Sequence, residues 1–119
     1  MSSGLVLVDD HAAYRSLARV LLEREGLEVL GEAYDGDSAV EVVERLRPAL
    51  VLLDVHLPGD DGFAVAERLA ALSSPPVVVL ISSRSVRELR HRLASSPAAG
   101  FVAKDQLSAA AIAEVVGWG

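Results

Sequence analysis

Residues 5–11, LVLVDDH, decide how the rest of the chain is read. Four aliphatic residues in a row suit a strand covered on both faces. The run ends in two adjacent carboxylates, Asp9 and Asp10, with His11 behind them. Neighbouring carboxylates repel, and each resists losing its water. A strand used only for packing gains nothing from that ending, so the acids are expected to serve a site that wants negative charge.

Four similar runs follow: LEVLGEAY (27–34), ALVLLDV (49–55), PVVVLIS (76–82) and GFVAK (100–104). With GLVLVDD (4–10) they read as five strands, rich in Val, Leu and Ile. The third and fourth are apolar at nearly every position, as central strands are. The second, interrupted by Glu28, Gly31 and Glu32, reads as an edge. Helical patterns lie between the strands. AAYRSLARVLLEREG is expected to bury Leu17, Val20 and Leu21, with Tyr14 as a further member, and to turn Arg15, Arg19, Glu23 and Arg24 outward. Gly26 stops that helix. DSAVEVVERLRP begins with Asp37 or Ser38 as its cap and ends before Pro48. DGFAVAERLAALSSPP presents Phe63, Val65, Ala66 and Leu69, and breaks at Pro75 and Pro76. SVRELRHRLASS and SAAAIAEVVGWG complete the set. Strict alternation implies parallel strands joined by right-handed crossovers. The expected fold is α/β: a doubly wound (βα)₅ domain with a five-stranded parallel sheet.

Composition bounds the function. The 119 residues suffice for one domain with a proper core, 1–119 being read as that single domain. There is no cysteine, which excludes disulfide and thiolate chemistry and fits a reducing cytoplasm. No apolar run is long enough to span a bilayer, and the start lacks the basic and apolar regions of a signal peptide. The formal net charge is −6, so direct nucleic-acid binding by this chain is not expected.

In a doubly wound sheet, ligands bind beyond the carboxyl ends of the strands at the topological switch point. With strand order 2-1-3-4-5, strands 1 and 3 are neighbours. Asp9 and Asp10 end strand 1, Asp54 ends strand 3, Ser82 ends strand 4 and Lys104 ends strand 5. Three converging carboxylates need a cation, and all-oxygen ligation points to a hard ion such as Mg²⁺ (or Mn²⁺). Lys104 supplies a fixed ammonium. A cation flanked by a hydroxyl and an ammonium suits an incoming phosphoryl group. Taken singly, Asp10 and Ser82 would read as turn or cap residues, and His11 as a helix-start residue.

VDDH at the first strand end, LLDVHLPGDDGF around Asp54, LISS with Ser82 and AGFVAK with Lys104, in this order and spacing, resemble the receiver domain of two-component response regulators over essentially the whole chain. The resemblance implies a flavodoxin-like receiver fold and names Asp54 as phosphoacceptor. Asp10 and Asp54 would hold Mg²⁺ directly, Asp9 through water, and the backbone carbonyl of His56 would add a ligand. Lys104 would bridge Asp54 and the phosphoryl group. Ser82 would take the switch hydroxyl position and Phe101 the aromatic switch position, where Tyr is common; simple packing of a half-buried Phe101 is the other reading. His56 and Arg84 would border the path of hydrolytic water and tune phosphoryl lifetime, with Arg84 either shielding the group or facing solvent. A sensor histidine kinase, or a small acyl phosphate, would be the donor. Such a domain is a regulatory phosphoacceptor rather than an enzyme acting on other substrates.

DDH, VLGEAYDG and KD after the fifth strand resemble receivers that precede LuxR-type helix-turn-helix output domains. No such domain follows here, so the chain is either a stand-alone receiver or one cut from a longer regulator. Trp118 would then lie near a linker. Asp105 stands where many receivers have a cis proline, and a trans Lys104–Asp105 bond is expected, since cis would cost about 2.5–4 kcal/mol. Arg84, Arg87, Arg90 and Arg92 mark either a solvated face or an interaction surface; in receivers the fourth helix, fifth strand and fifth helix pair with a second receiver or an output domain. Three rivals remain. A haloacid-dehalogenase-type phosphatase would need a second Asp where His56 stands. A phosphorylation-independent dimerisation module would not need the intact acids and lysine. A flavin or nucleotide domain would need a Gly-rich loop after strand 1.

Overall fold

Side-chain alternation along five strands creates two cores, one on each face of a single sheet. The computed structural model describes residues 4–117; Trp118 lies outside the described residues. The strands are β1 (Gly4–Val8), β2 (Glu28–Ala33), β3 (Leu50–Asp54), β4 (Val77–Ser82) and β5 (Gly100–Ala103). The helices are α1 (Ala12–Arg24), α2 (Gly36–Leu46), α3 (Gly62–Ala70), α4 (Val86–Ala94) and α5 (Ala109–Val116). A two-residue antiparallel ribbon, His56–Leu57 against Asp60–Asp61, sits between β3 and α3. The sheet has order 2-1-3-4-5, and every neighbouring pair is parallel. The doubly wound α/β expectation holds, with β2 at an edge and β3 and β4 inside.

Leu5 and Leu7 of β1 share one core with Leu50, Leu52, Val79 and Ile81, under α1 and α5. Val6 and Val8 share the other with Val51, Leu53, Val78 and Leu80, under α2, α3 and α4. The expected face of α3 is correct, since Phe63, Val65, Ala66 and Leu69 are all buried. Each strand stops one or two residues before the polar residue read as its end at β1 and β5, so Asp9, Asp10 and Lys104 stand on the first residues past the ladder.

Two local expectations are corrected. On α1 the buried residues are Ala18 and Leu22, while Leu17 is 67% and Val20 51% exposed. The helix is turned by about one residue because two long-range ties pull it. The Tyr14 hydroxyl donates to the Lys104 carbonyl at 3.0 Å, and Arg15 and Arg19, expected to face outward, reach across to Glu32 on β2. Accordingly, Leu17→Gln should change stability by no more than about 0.5 kcal/mol in urea denaturation, as for an ordinary surface position. On α2 the cap is Asp35, not Asp37 or Ser38. Its carboxylate accepts the Ser38 N–H at 2.8 Å while the Ser38 hydroxyl accepts the Asp35 N–H at 3.1 Å. Ser38 thus plays the reciprocal part that a longer Glu or Gln fills elsewhere.

Among the described residues no peptide bond is cis, so Lys104–Asp105 is trans as expected, and residues Lys104–Gln106 form a short 3₁₀ turn. No helix of the described residues is long and apolar enough to cross a membrane.

Candidate functional site

Parallel β1 and β3 run in register, Val8 opposite Leu53, so the residues that follow them emerge side by side. Asp9 is 1% and Asp54 3% exposed. Two carboxylates at that depth need a cation between them, and Lys104 arrives from the end of β5. Its Nζ lies 3.1 Å from Asp54 Oδ2 and 2.5 Å from Asp9 Oδ2. Asp9 Oδ2 nevertheless accepts no well-directed hydrogen bond. Its contact with the ammonium is an ion pair set by proximity, and a bonding direction on that buried oxygen stays unused.

The other carboxylate oxygens are held by backbone. Asp9 Oδ1 accepts the His11 N–H at 2.8 Å, and Asp54 Oδ1 accepts the His56 N–H at 3.0 Å. Burial raises the Asp54 pKa above the ordinary carboxylate value. The His56 N–H and Lys104 oppose that rise without cancelling it, and Asp9 adds to it. Burial alone would lower the Lys104 ammonium, but its close contact with Asp9 and its pairing with Asp54 outweigh burial and raise it. The pocket therefore keeps its lysine charged and leaves its carboxylates short of positive charge.

The other expected residues divide. Ser82 is fully buried at the end of β4, one residue beyond Ile81, which pairs with Asp54; its hydroxyl accepts the Arg84 N–H at 3.0 Å. Among the described residues no hydrogen bond joins Ser82 to Asp54 or Lys104. Phe101 is half-buried on β5 opposite Leu80, at the edge of a groove of about 310 Å³ shared with Ala111 and Val115. His56 meets the site through its backbone, and its side chain is exposed, as is that of Arg84. Of the arginines around α4, Arg92 is tied down: it pairs with Asp61 and lies 4.3 Å over the Phe63 ring.

Four residues near the acids were not singled out for the site by sequence. Tyr14 places its ring 4.7 Å from Lys104 Nζ, and burial followed by the Asp9 charge pushes its hydroxyl up to about 12. His11 Nδ1 lies 3.1 Å from Asp9 Oδ1 and 3.2 Å from Asp10 Oδ1. Arg15 donates to the Asp9 carbonyl. Gly62 brings the start of α3 so close that a Cβ there would stand 2.4 Å from the Asp54 carbonyl oxygen. Gly62 and His11 had a local signal, each standing directly after two acids; Tyr14 and Arg15 depend on the rotation of α1.

The donor set suits a hard divalent cation. One ligand atom each from Asp9, Asp10, His11 and Asp54 lies within 4.8 Å of the others. Three carboxylates face one ammonium, and the unused direction on Asp9 Oδ2 is the kind of acceptor an ion and its water shell satisfy.

Comparisons with known proteins identify the family and the fold. Residues 5–116 match the response regulator receiver domain family. The virulence-factor transcription regulator BvgA of Bordetella pertussis is 36% identical over 106 residues, covering 89% of this chain and 51% of that protein. The DNA-binding transcriptional activator EvgA of Escherichia coli is 33% identical over 101 residues, covering 85% of this chain and 50% of that protein. The chain thus spans about half the length of these relatives. The signal receiver domain of the response regulator NarL from Mycobacterium tuberculosis superposes with a TM-score of 0.85 at 31% identity, covering 98% of both chains. The match over residues 5–116, with a parallel sheet of order 2-1-3-4-5, shows that the chain belongs to the receiver domain family of two-component response regulators.

Proposed function

We propose that this receiver accepts a single phosphoryl group on Asp54 from the phosphohistidine of a sensor kinase in the cytoplasm. The observation that carries the reading is the Asp54 carboxylate itself. It is almost wholly buried, aligned by the His56 N–H and held at 3.1 Å by Lys104, beside two further acids. Attack by an Asp54 oxygen forms the new O–P bond as the donor's P–N bond breaks, and the imidazole leaves with the electron pair. With an acyl phosphate the broken bond is P–O and a carboxylate leaves. Asp9, Asp10, Asp54 and the His56 carbonyl would hold Mg²⁺ or Mn²⁺, which supplies the charge neutralisation that lets a phosphoryl dianion approach these acids. Lys104, already charged and fixed by two carboxylates, is placed to pair with a phosphoryl oxygen on Asp54.

Ser82 and Phe101 transmit the change. The Ser82 hydroxyl gives up its bond with the Arg84 N–H to donate to the phosphoryl group, and the loop before α4 follows. Phe101 turns toward the space this leaves, altering the face of α4, β5 and α5. That face then favours a second receiver or an output segment, of the LuxR type and transcriptional in effect, beyond this chain. A modest preference for one of two states suffices, since a modification shifts an equilibrium by its differential stabilisation of them. Arg84 and His56 border the phosphoryl position and set its lifetime.

Intact-mass measurement after incubation with acetyl phosphate tests the reading. One phosphoryl group is added in the presence of Mg²⁺ and none when the metal is chelated. A folded, Mg²⁺-binding protein that gains no mass would overturn the assignment.

A further inference from the structure

Asp9 and Asp10 stand on the turn just past β1, yet a metal site demands that they point the same way each time. Backbone geometry alone does not provide this. The Asp9 N–H donates to the Ala33 carbonyl at 3.0 Å, which fixes the peptide before Asp9. Across the peptide after it, linking Asp9 to Asp10, the Asp9 carboxylate accepts the His11 N–H, and among the described residues the peptide's own carbonyl oxygen is held by Arg15 Nη1. Because a peptide unit is rigid, the position of that oxygen sets the direction in which the Asp10 Cα leaves the turn.

Arg15 is itself immobilised. Its Nε donates to Glu32 Oε1 at 2.9 Å, and Arg19 Nη1 holds Glu32 Oε2 at 2.9 Å. Arg15 is only 18% exposed, so the guanidinium bridges α1, the edge strand β2 and the Asp9–Asp10 peptide at once. A planar fork with fixed donors can serve two acceptors in this way; a lysine ammonium at the end of a flexible stem cannot hold both in one geometry. Partial burial alone would raise the Glu32 carboxyl, but the hydrogen bonds from Arg19 and Arg15 outweigh it and lower it, keeping the anchor charged. Arg19 shares the anchor but touches β2 through the Val29 carbonyl rather than the acidic turn.

We infer that Arg15, braced by Glu32, is the positioning residue of the acidic turn, setting the direction of the Asp9–Asp10 peptide and so the affinity of the site for its divalent cation. The inference rests on the proposed Mg²⁺-dependent function. It predicts that outer partners of the ligands matter about tenfold in metal affinity, as such partners commonly do.

Calorimetric titration of Mg²⁺ into folded wild type, Arg15→Ala and Arg19→Ala, well below their unfolding temperatures, tests it. Arg15→Ala should weaken Mg²⁺ binding about tenfold while Arg19→Ala stays within about twofold of wild type. In acetyl phosphate labelling, the Mg²⁺ concentration for half-maximal rate should rise in Arg15→Ala, with the rate at saturating Mg²⁺ retained. Equal affinities in Arg15→Ala and wild type would overturn the inference, as would equal losses in the two variants, since a merely structural network would be hurt by either. Failure of wild type to bind Mg²⁺ would instead strike the underlying function, so the two failures are distinct. If Arg15→Ala does not fold, Glu32→Gln preserves the size of the side chain but leaves one acceptor oxygen for the two arginines and removes the charge that braces them. It should weaken Mg²⁺ binding in the same direction, and unchanged affinity there overturns the inference.

Discussion

Asp54→Asn should take up no phosphoryl group at any Mg²⁺ concentration and, without metal, should be more stable than wild type. The first half follows from chemistry, because an amide is no nucleophile toward phosphorus and the proposed O–P bond cannot form. The second follows from the charge balance. Asp9 and Asp54 lie almost fully out of water with Lys104 as their shared cation, and Asp10 adds a third negative charge nearby. For Asp54, burial outweighs the help it receives, and its pKa is raised. An acid raised on folding contributes fully to stability below its unfolded pKa, where both states are protonated, and that contribution is lost as pH rises through the folded pKa. At neutral pH the ionised Asp54 therefore weakens the metal-free fold. Asparagine keeps an oxygen for the His56 N–H, and Lys104 keeps Asp9. A gain on the order of 1 kcal/mol, or roughly 4 °C in melting temperature, is expected at pH 7. Thermal melts across pH should show the gap between variant and wild type narrowing as pH falls below the raised Asp54 pKa. A gap that widens on acidification would reverse the assigned balance.

Lys104→Met should act in the opposite direction and more strongly. Methionine preserves much of the apolar stem beside the Tyr14 ring but removes the only cation in contact with the two buried carboxylates among the described residues. Breaking a buried pair by deleting one partner leaves an uncompensated charge and costs about 3–5 kcal/mol. Here two carboxylates are stranded at once, so loss toward the upper part of that range is expected in chelator-containing urea denaturation. Saturating Mg²⁺ should restore a large part of it, since the ion binds the folded state alone and replaces the missing positive charge. The same loss with and without Mg²⁺ would mean that the lysine is held for packing rather than for charge.

Periodicity made most of the fold legible. Val and Leu runs of strand length, separated by amphipathic stretches, leave few topologies once crossovers must be right-handed. A glutamate- and glycine-interrupted run such as 27–34 belongs at an edge because a buried central strand cannot solvate those groups. The site was legible for a related reason: burying Asp54, Ser82 and Lys104 at strand ends carries a desolvation cost, and their placement on successive elements shows where the chain accepts it. The rotation of α1 was not legible. Leu17, Val20 and Leu21 form as good an apolar face on paper as Ala18 and Leu22, because a helix sequence records which residues are apolar but not which long-range bonds compete to orient it.

What the sequence determined by itself is therefore the element order, the parallel sheet and the strand ends at which Asp9, Asp10, Asp54, Ser82 and Lys104 emerge, all consequences of local periodicity and of the cost of burying charge. Tertiary structure alone decided that Tyr14 reaches the Lys104 carbonyl 90 residues away and that Arg15 turns inward to Glu32 and the Asp9 carbonyl. It alone shows Lys104 contacting Asp9 as well as Asp54. Those contacts join residues remote in the chain, and their energies depend on distance and burial, which exist only once the chain has folded.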